Sequence, residues 1–344
     1  MRASHLPKLT NNYIVCIFVR FKVNRNHKIR VFEGFAGYGG ASFGLKRSGL
    51  SYEVVGMSEF DKFASDLLLQ NFPEIRNWGD ITQIEPTSLP DFDLFTGGFP
   101  CQPFSSAGLQ LGFNDKYGRG TLFHHIIRIC QIKKPQYLLL ENVKGLTQKK
   151  FAETFETMKQ MLRELGYGEL AFAVLNSKDY GIPQNRERLW MFARLGGLPK
   201  GFDIRPPKIE LKFRFGDFLD DNPPEYLYLS EEQIAHLKVK HHIDSFIVDE
   251  PLCFDVYNKK IKKDALCITI TQPEHNSLRV IEIPKDGREI VRKMSVEEQF
   301  RFMGFKDGEL KYEGHSYSQM SKRAGNGWDV NLVGILLKHI FSQL

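Results

Sequence analysis

Between residues 29 and 195, short apolar runs alternate with segments whose apolar positions recur at helical spacing. The runs Ile29–Phe32, Glu53–Ser58, Leu94–Thr96, Tyr137–Glu141, Ala171–Leu175 and Leu189–Ala193 predict strands. Ala41–Ser48, Lys62–Asn71, Leu122–Lys133 and Phe151–Leu165 predict helices between them. Strands alternating with helices imply an α/β fold, a doubly wound and mostly parallel sheet. Such sheets bind ligands beyond the carboxyl ends of their strands. From about Gly196 the pattern breaks into short runs punctuated by Pro206, Pro207, Pro223, Pro224, Pro251 and Pro273, which predicts a smaller, irregular second domain. Helical spacing returns near Met294, where Ser295 and Glu298 fit a capping box, and again over Asn331–Phe341. The expected organisation is an extension over 1–28, an α/β domain over 29–195, an irregular domain over 196–290 and a return to the first domain over 291–344.

Charge changes this picture in one place. The formal net charge of the 344-residue chain is +6, but its first thirty residues hold seven Lys/Arg and no Asp/Glu. The rest is close to neutral, so binding of a polyanion needs a local patch rather than bulk charge. The basic stretch reads as an arm or an extra strand; its one apolar run, Ile14 to Val19, is too short for a secretory core. No run approaches the roughly eighteen apolar residues of a membrane span. The five cysteines are scattered and form no ligand-like pair, which argues against zinc and for a reducing compartment.

Candidate chemistry lies at the predicted strand ends. The first strand runs into Phe35-Ala36-Gly37-Tyr38-Gly39-Gly40, a glycine-rich turn that lets backbone approach a ligand closely. Glu59, at the end of the second strand, stands where an acid accepts hydrogen bonds from ribose hydroxyls. Phe60 is placed to lie on an adenine face, and Asp80, beside Ile81, to receive an adenine amino group. Together they predict a nucleoside site, open to a dinucleotide or S-adenosylmethionine. The third strand leads into Gly97-Gly98-Phe99-Pro100-Cys101-Gln102-Pro103-Phe104-Ser105, an irregular loop that carries a thiol. The strand Tyr137–Leu140 ends in Glu141-Asn142-Val143; a carboxyl at the mouth of an apolar strand should have a raised pKa.

At this point the chain resembles the DNA (cytosine-5) methyltransferases. Residues 35–40, 98–105, 120–123, 141–143, 184–188, 292–304 and 325–327 are similar to that family's motifs, in its order. The resemblance implies transfer of a methyl group from S-adenosylmethionine, yielding S-adenosylhomocysteine, to C5 of a flipped-out cytosine in a specific duplex DNA sequence, without a metal. It implies Cys101 as nucleophile, with Glu141, Arg186 and Arg188 beside it. It implies a cofactor site of Phe35, Gly37, Gly39, Glu59, Phe60, Asp80, Ile81, Leu122 and Asn326. Gln102, Ser105 and Thr269, the last in a string that resembles a family Thr-Leu pair, are implied at the DNA, and Lys259-Lys260-Ile261-Lys262-Lys263 is a candidate phosphate-binding loop. A prokaryotic or phage modification enzyme is implied, cytoplasmic and nucleoid-associated, monomeric on DNA, with a cognate restriction endonuclease as its functional counterpart. Two positions depart from the family pattern: Gly34 replaces a larger apolar residue, and Gly327-Trp328 follows Asn326, so that Trp328 is expected to reshape the wall of the cofactor pocket. Competing readings are a tRNA cytosine-5 methyltransferase on the same fold, whose members typically carry two prolines before the cysteine where this chain has Phe99-Pro100; a non-catalytic DNA- or cofactor-binding module; and an NAD-dependent oxidoreductase, which would want the third glycine that Ser42 replaces.

Overall fold

The computed structural model describes residues 28–100, 122–273 and 278–344. Six strands form the main sheet: β1 (Ile29–Gly34), β2 (Tyr52–Ser58), β3 (Leu94–Gly98), β4 (Tyr137–Val143), β5 (Ala171–Asn176) and, after the short β6 (Gln184–Asn185), β7 (Glu187–Arg194), in the order β2-β1-β3-β4-β7-β5. The first four in that order pair in parallel, whereas β7 is antiparallel to both neighbours. The fully parallel alternative fails there for a simple reason. Only a single 3₁₀ turn, Ser177–Tyr180, and the two-residue β6 lie between β5 and β7, too little chain for a crossover helix.

Alternating residues of each strand face opposite layers. Val31, Leu94, Leu139 and Trp190 share a buried cluster with Leu332, Leu336, Leu337 and Ile340 of the C-terminal helix. Phe32, Phe95, Leu138, Leu140 and Met191 pack on Ile126, Ile129, Met158 and Leu162 of the other layer. The helices observed are α1 (Gly40–Ser48), α2 (Lys62–Asn71), α3 (Leu122–Lys133) and α4 (Ala152–Glu164), all within a residue of the predicted bounds. The last helix, Val330–Phe341, lies against α1 so closely that a Cβ on Gly44 would stand 2.3 Å from Val333.

The second region is more regular than its sequence predicts. After helix α5 (Glu231–His241), strands β8 (Leu252–Asp255) and β9 (Lys260–Lys262) come before the two-residue β10 (Cys267–Ile268), which pairs with β6. With β11 (Leu278–Lys285) and β12 (Arg288–Arg292), β8 and β9 make an antiparallel sheet of order β12-β11-β8-β9. Ile234, Phe246, Phe254, Ile281 and Val291 give it a small core. Strand β12 straddles the expected boundary at 290/291, and Leu198, Phe202 and Ile204 still pack on the main sheet beyond 195. The lysine run forms β9 at the sheet edge, where lysines discourage strand addition, and Lys262 pairs with Asp264 at 2.9 Å.

Helix α6 (Val296–Arg301) is capped as expected. Ser295 Oγ accepts from the Glu298 amide at 3.0 Å, and Glu298 Oε2 accepts from the Ser295 amide at 2.7 Å. The same carboxylate takes two bonds from Arg292, at 2.8 and 2.7 Å, with both side chains fully buried, and Glu282 accepts from the Arg292 Nε. This buried fork joins the small sheet to the segment that returns to the main domain. Arg292→Ala leaves two carboxylates without their cation, so a loss of about 3–5 kcal/mol is expected. Urea denaturation checks it: the midpoint should fall with the slope unchanged, and an unmoved midpoint contradicts it.

Candidate active site

The carboxyl ends of β1 to β4 converge on one edge, and the turn after β1 is built there by a buried carboxylate. Glu33, within β1, accepts from the amides of Ala41 and Ser42 at 2.8 and 3.0 Å and from Ser42 Oγ at 2.6 Å. It fixes the start of α1, and burial pushes its carboxyl up to about 7 against those donors. Phe35, Gly37 and Gly39 all have positive φ, so the chain reverses tightly between strand and helix. Open space surrounds the Cβ position of Gly37.

Glu59 closes this turn from the end of β2. Its Oε2 accepts from the Gly37 amide at 2.9 Å and its Oε1 from the Asp61 amide at 2.8 Å. Burial raises its pKa while the two amides oppose that. A carboxylate offers about four lone-pair sites, so two hydroxyls can still be accepted. Asn77 ties residues 76–80 to the strand end: its Oδ1 accepts from the amides of Glu59 and Gly79, both at 3.0 Å. That bridge holds the start of the 79–82 turn at the end of β2. Ile81 is buried in the same cluster that Leu122 packs against. The Phe60 ring is 77% exposed, an aromatic face without protein cover. An exposed ring, an anchored carboxylate and a glycine turn fit the adenosine part of S-adenosylmethionine. Asn326 is exposed at the end of α7 (Tyr317–Asn326).

The second half of the site is centred on Glu141. In the sheet it pairs with Gly98 on β3 and with Trp190 on β7, so Glu141, Trp190 and Arg188 share one face. Arg188 Nε lies 3.2 Å from Glu141 Oε1. On the other oxygen, the indole N–H of Trp328 donates to Oε2 at 3.0 Å. Burial raises the Glu141 pKa, opposed by Arg188, Arg186 and the Trp328 donor. Next to it, Asn142 Nδ2 donates to the Phe99 carbonyl at 2.9 Å, pinning the chain two residues before Cys101. Phe99 itself is buried against Phe123. Cys101, Gln102 and Ser105 lie outside the described residues.

Arg186 does not join this group in the way its neighbour does. Its guanidinium donates to the carbonyls of Ile270 at 2.9 Å, Gly325 at 3.1 Å and Gly327 at 2.7 Å. Although the two arginines are two residues apart, they do not point alike, because β6 and β7 are separate pairings on either side of Arg186. It is a buried cross-brace, and backbone packs so tightly there that a Cβ on Gly325 would stand 2.4 Å from the Thr271 carbonyl carbon. Thr269 Oγ1 donates to the Asn185 carbonyl at 2.7 Å, on the same seam.

Both departures from the family pattern find an explanation. A Cβ on Gly34 would stand 2.7 Å from the Phe95 ring, which fills the room of the larger side chain. Trp328 lies at the acid: its ring meets Trp190 edge-on at 4.9 Å and its N–H reaches Glu141. Glu33 and the Trp328 contact are the parts that sequence reasoning missed. A lone acid inside the apolar strand 29–34 was a signal for the first; nothing in the local sequence signals the second.

The mixed, mostly parallel sheet with helices on both faces fits the α/β fold of the S-adenosylmethionine-dependent methyltransferases. The C-5 cytosine-specific DNA methylase family model matches residues 29–342, and the chain belongs to that family. It is 36% identical over 318 residues to the type II methyltransferase M.HaeII of Haemophilus aegyptius, covering 90% of this chain and 92% of that protein. It is 34% identical over 308 residues to M.NgoBI of Neisseria gonorrhoeae, covering 87% and 89%. In fold it is similar to the S. pombe Dnmt2 methyltransferase, with a TM-score of 0.72, 21% identity and coverage of 92% of this chain and 99% of that one. The chain is a DNA (cytosine-5) methyltransferase, and its family and fold imply use of S-adenosylmethionine. Among the described residues no helix is long and apolar enough to cross a membrane.

Proposed function

We propose that the chain methylates one short duplex DNA sequence by flipping the target cytosine out of the helix and adding Cys101 to its C6. The observation that carries this reading is the Glu141-Asn142 pair: one side chain is a buried acid, and the next holds the Phe99 carbonyl that leads into Cys101. C5 of cytosine is a poor nucleophile. A bond from the Cys101 thiolate to C6 turns the ring into an enamine with electron density at C5. Negative charge appears on the ring at that moment, and a protonated Glu141 hydrogen-bonded to N3 offsets it. Bound S-adenosylmethionine supplies an electrophilic methyl group on its sulfonium. Loss of the C5 proton to a water-mediated base and departure of the thiolate then restore the aromatic ring.

Glu59, Phe60, Asp80, Ile81, Leu122 and the turn Phe35–Gly39 hold the cofactor, with Asn326 at the far side. Arg188 steers Glu141 and the cytosine carbonyl, and Arg186 keeps the 325–327 backbone in place for both. The second region, with Thr269 beside the β10–β6 pair, faces the DNA together with Gln102 and Ser105. Flipping is required because C5 is out of reach inside a duplex, at a cost of a few kcal/mol. The protein acts as a monomer in the cytoplasm, on nucleoid DNA, as the protective half of a restriction system like its type II relatives. No step here calls for a metal.

Methylation-sensitive sequencing of DNA from cells expressing the chain should show C5 methylation at a single recurrent motif; unmodified DNA, or methylated tRNA instead, overturns the substrate. Glu59→Ala should weaken S-adenosylmethionine binding about tenfold or more, since it removes both the ribose acceptor and the anchor of the Gly37 amide. Calorimetric titration reads this directly, and an unchanged dissociation constant removes Glu59 from the site.

A further inference from the structure

We infer that Trp328 is a positioning residue for the reaction: its indole N–H holds Oε2 of Glu141 and so sets the rotation of the carboxyl that Arg188 meets at Oε1. The inference rests on the reading of Glu141 as the proton-holding acid and deepens it.

Trp328 is wedged in place from every side. Its carbonyl accepts from the Tyr38 hydroxyl. Its Cβ lies where a Cβ on Gly40 would come within 3.1 Å, and its ring stands edge-on to Trp190. A Cβ on Gly98 would sit 2.7 Å from its Nε1 and 2.9 Å from Glu141 Oε2, so the glycine at the end of β3 is what allows the two to meet. The residue is 8% exposed. The indole therefore has one orientation, and its single donor has one acceptor.

A carboxyl that holds a proton has two different oxygens, and only one is needed as donor. Unconstrained, the two forms interchange by rotation about the last bond of the side chain, a broad and roughly twofold torsion. The indole N–H can only donate. Arg188 on Oε1 likewise only donates, so the two contacts together fix the rotation of the carboxyl rather than the place of its proton. Arg188, the charged group on Oε1, is a cation at 19% side-chain exposure and is held by a single further bond to the Glu187 carbonyl. Arg186 faces the pair only through space, its donors engaged with backbone carbonyls. Among the described residues these are the charged groups around Glu141, and Trp328 is the neutral one. The same residue bridges from the cofactor turn, through Tyr38, to the acid.

The test is Trp328→Phe, which keeps an aromatic ring and deletes the donor. The kcat for methylation of duplex DNA should fall about tenfold, the effect of one lost hydrogen bond to a buried group, while the KM for S-adenosylmethionine stays within about twofold. An N–H donor favours the carboxylate, so its loss raises the Glu141 pKa. The alkaline limb of the kcat profile, where the acid ionises, should then move to higher pH. A packing role alone lowers the melting temperature and leaves that limb where it was. Should the phenylalanine variant fail to fold, site-specific replacement of Trp328 by 3-benzothienylalanine, equal in size and without the N–H, gives the same reading. Wild-type kcat and an unmoved alkaline limb in either variant overturn the inference. If Cys101→Ala is inactive in the same assay, that result leaves the proposed chemistry standing and removes only the role of Trp328.

Discussion

Cys101→Ala is expected to abolish methyl transfer, by a factor on the order of 10⁴ or more, and to leave S-adenosylmethionine binding within about twofold of the wild type. The two halves of that result follow from the architecture. Without a thiolate to add at C6, the ring offers no enamine, and neither Glu141 nor Arg188 can create electron density at C5 by hydrogen bonding alone. The cofactor half of the proposed site draws on the ends of β1 and β2, where Glu59 holds the Gly37 and Asp61 amides. Transfer of a radiolabelled methyl group measures the first half and calorimetry the second. A duplex carrying 5-fluorocytosine at the modified position gives a sharper readout, because fluorine at C5 blocks the final proton loss and the adduct accumulates. Mass spectrometry should find that adduct on residue 101 of the wild type and none in the variant. Retained turnover, or an adduct on another residue, removes Cys101 as the nucleophile.

How far the sequence reaches depends on whether an element's neighbours lie close along the chain. Helices α1 to α4 have apolar stripes complete within themselves, so their bounds are readable to a residue. The capping box at Ser295 and Glu298 is equally local. The small sheet is the opposite case: β8 has four residues, and its burial depends on β11, some twenty residues further on. No window of sequence contains that pairing. The direction of β7 was hidden for the same reason, since an apolar strand reads alike in either direction.

The site divides along the same line. Phe35, Gly37, Glu59 and Glu141 stand at or near the ends of β1, β2 and β4, and strand ends are legible, so their place on one edge of the sheet follows from the fold class alone. Arg186 and Arg188 sit two apart in the chain, yet one braces backbone carbonyls and the other meets Glu141. Their separation is decided by β10 pairing with β6, a contact across more than eighty residues. Trp328 reaches Glu141 across a sequence separation of 187 residues. Local reading placed it as a departure from pattern; only packing shows what the departure touches.

Glu141→Ala and Glu141→Gln should separate the two services the acid performs. Alanine removes donor, acceptor and proton together, and a loss of about 10²–10³ in kcat/KM is expected, the usual effect of deleting one preorganised donor to a developing negative charge. Glutamine keeps an N–H₂ donor and a carbonyl acceptor in the same outline, so its loss should be smaller, about tenfold. The pH profile distinguishes them further. Burial holds the Glu141 carboxyl above its ordinary value, against the pull of Arg188, Arg186 and Trp328, and the neutral form is the one the proposed reaction uses. Activity of the wild type should therefore fall as pH rises through the raised value, a decline the amide cannot show. Stability carries the same signature. An acid whose folded-state pKa exceeds its unfolded value binds more protons folded than unfolded between the two, so its contribution to stability is full below the unfolded value and is lost as pH rises through the folded one. Melting temperatures of the wild type and Glu141→Gln, compared across that interval, should diverge, with the wild type falling more steeply toward high pH. A glutamine variant that keeps the wild-type rate and the wild-type alkaline decline shows that the proton needed for catalysis sits on some other group, and Glu141 is then only the wall between β3 and β7.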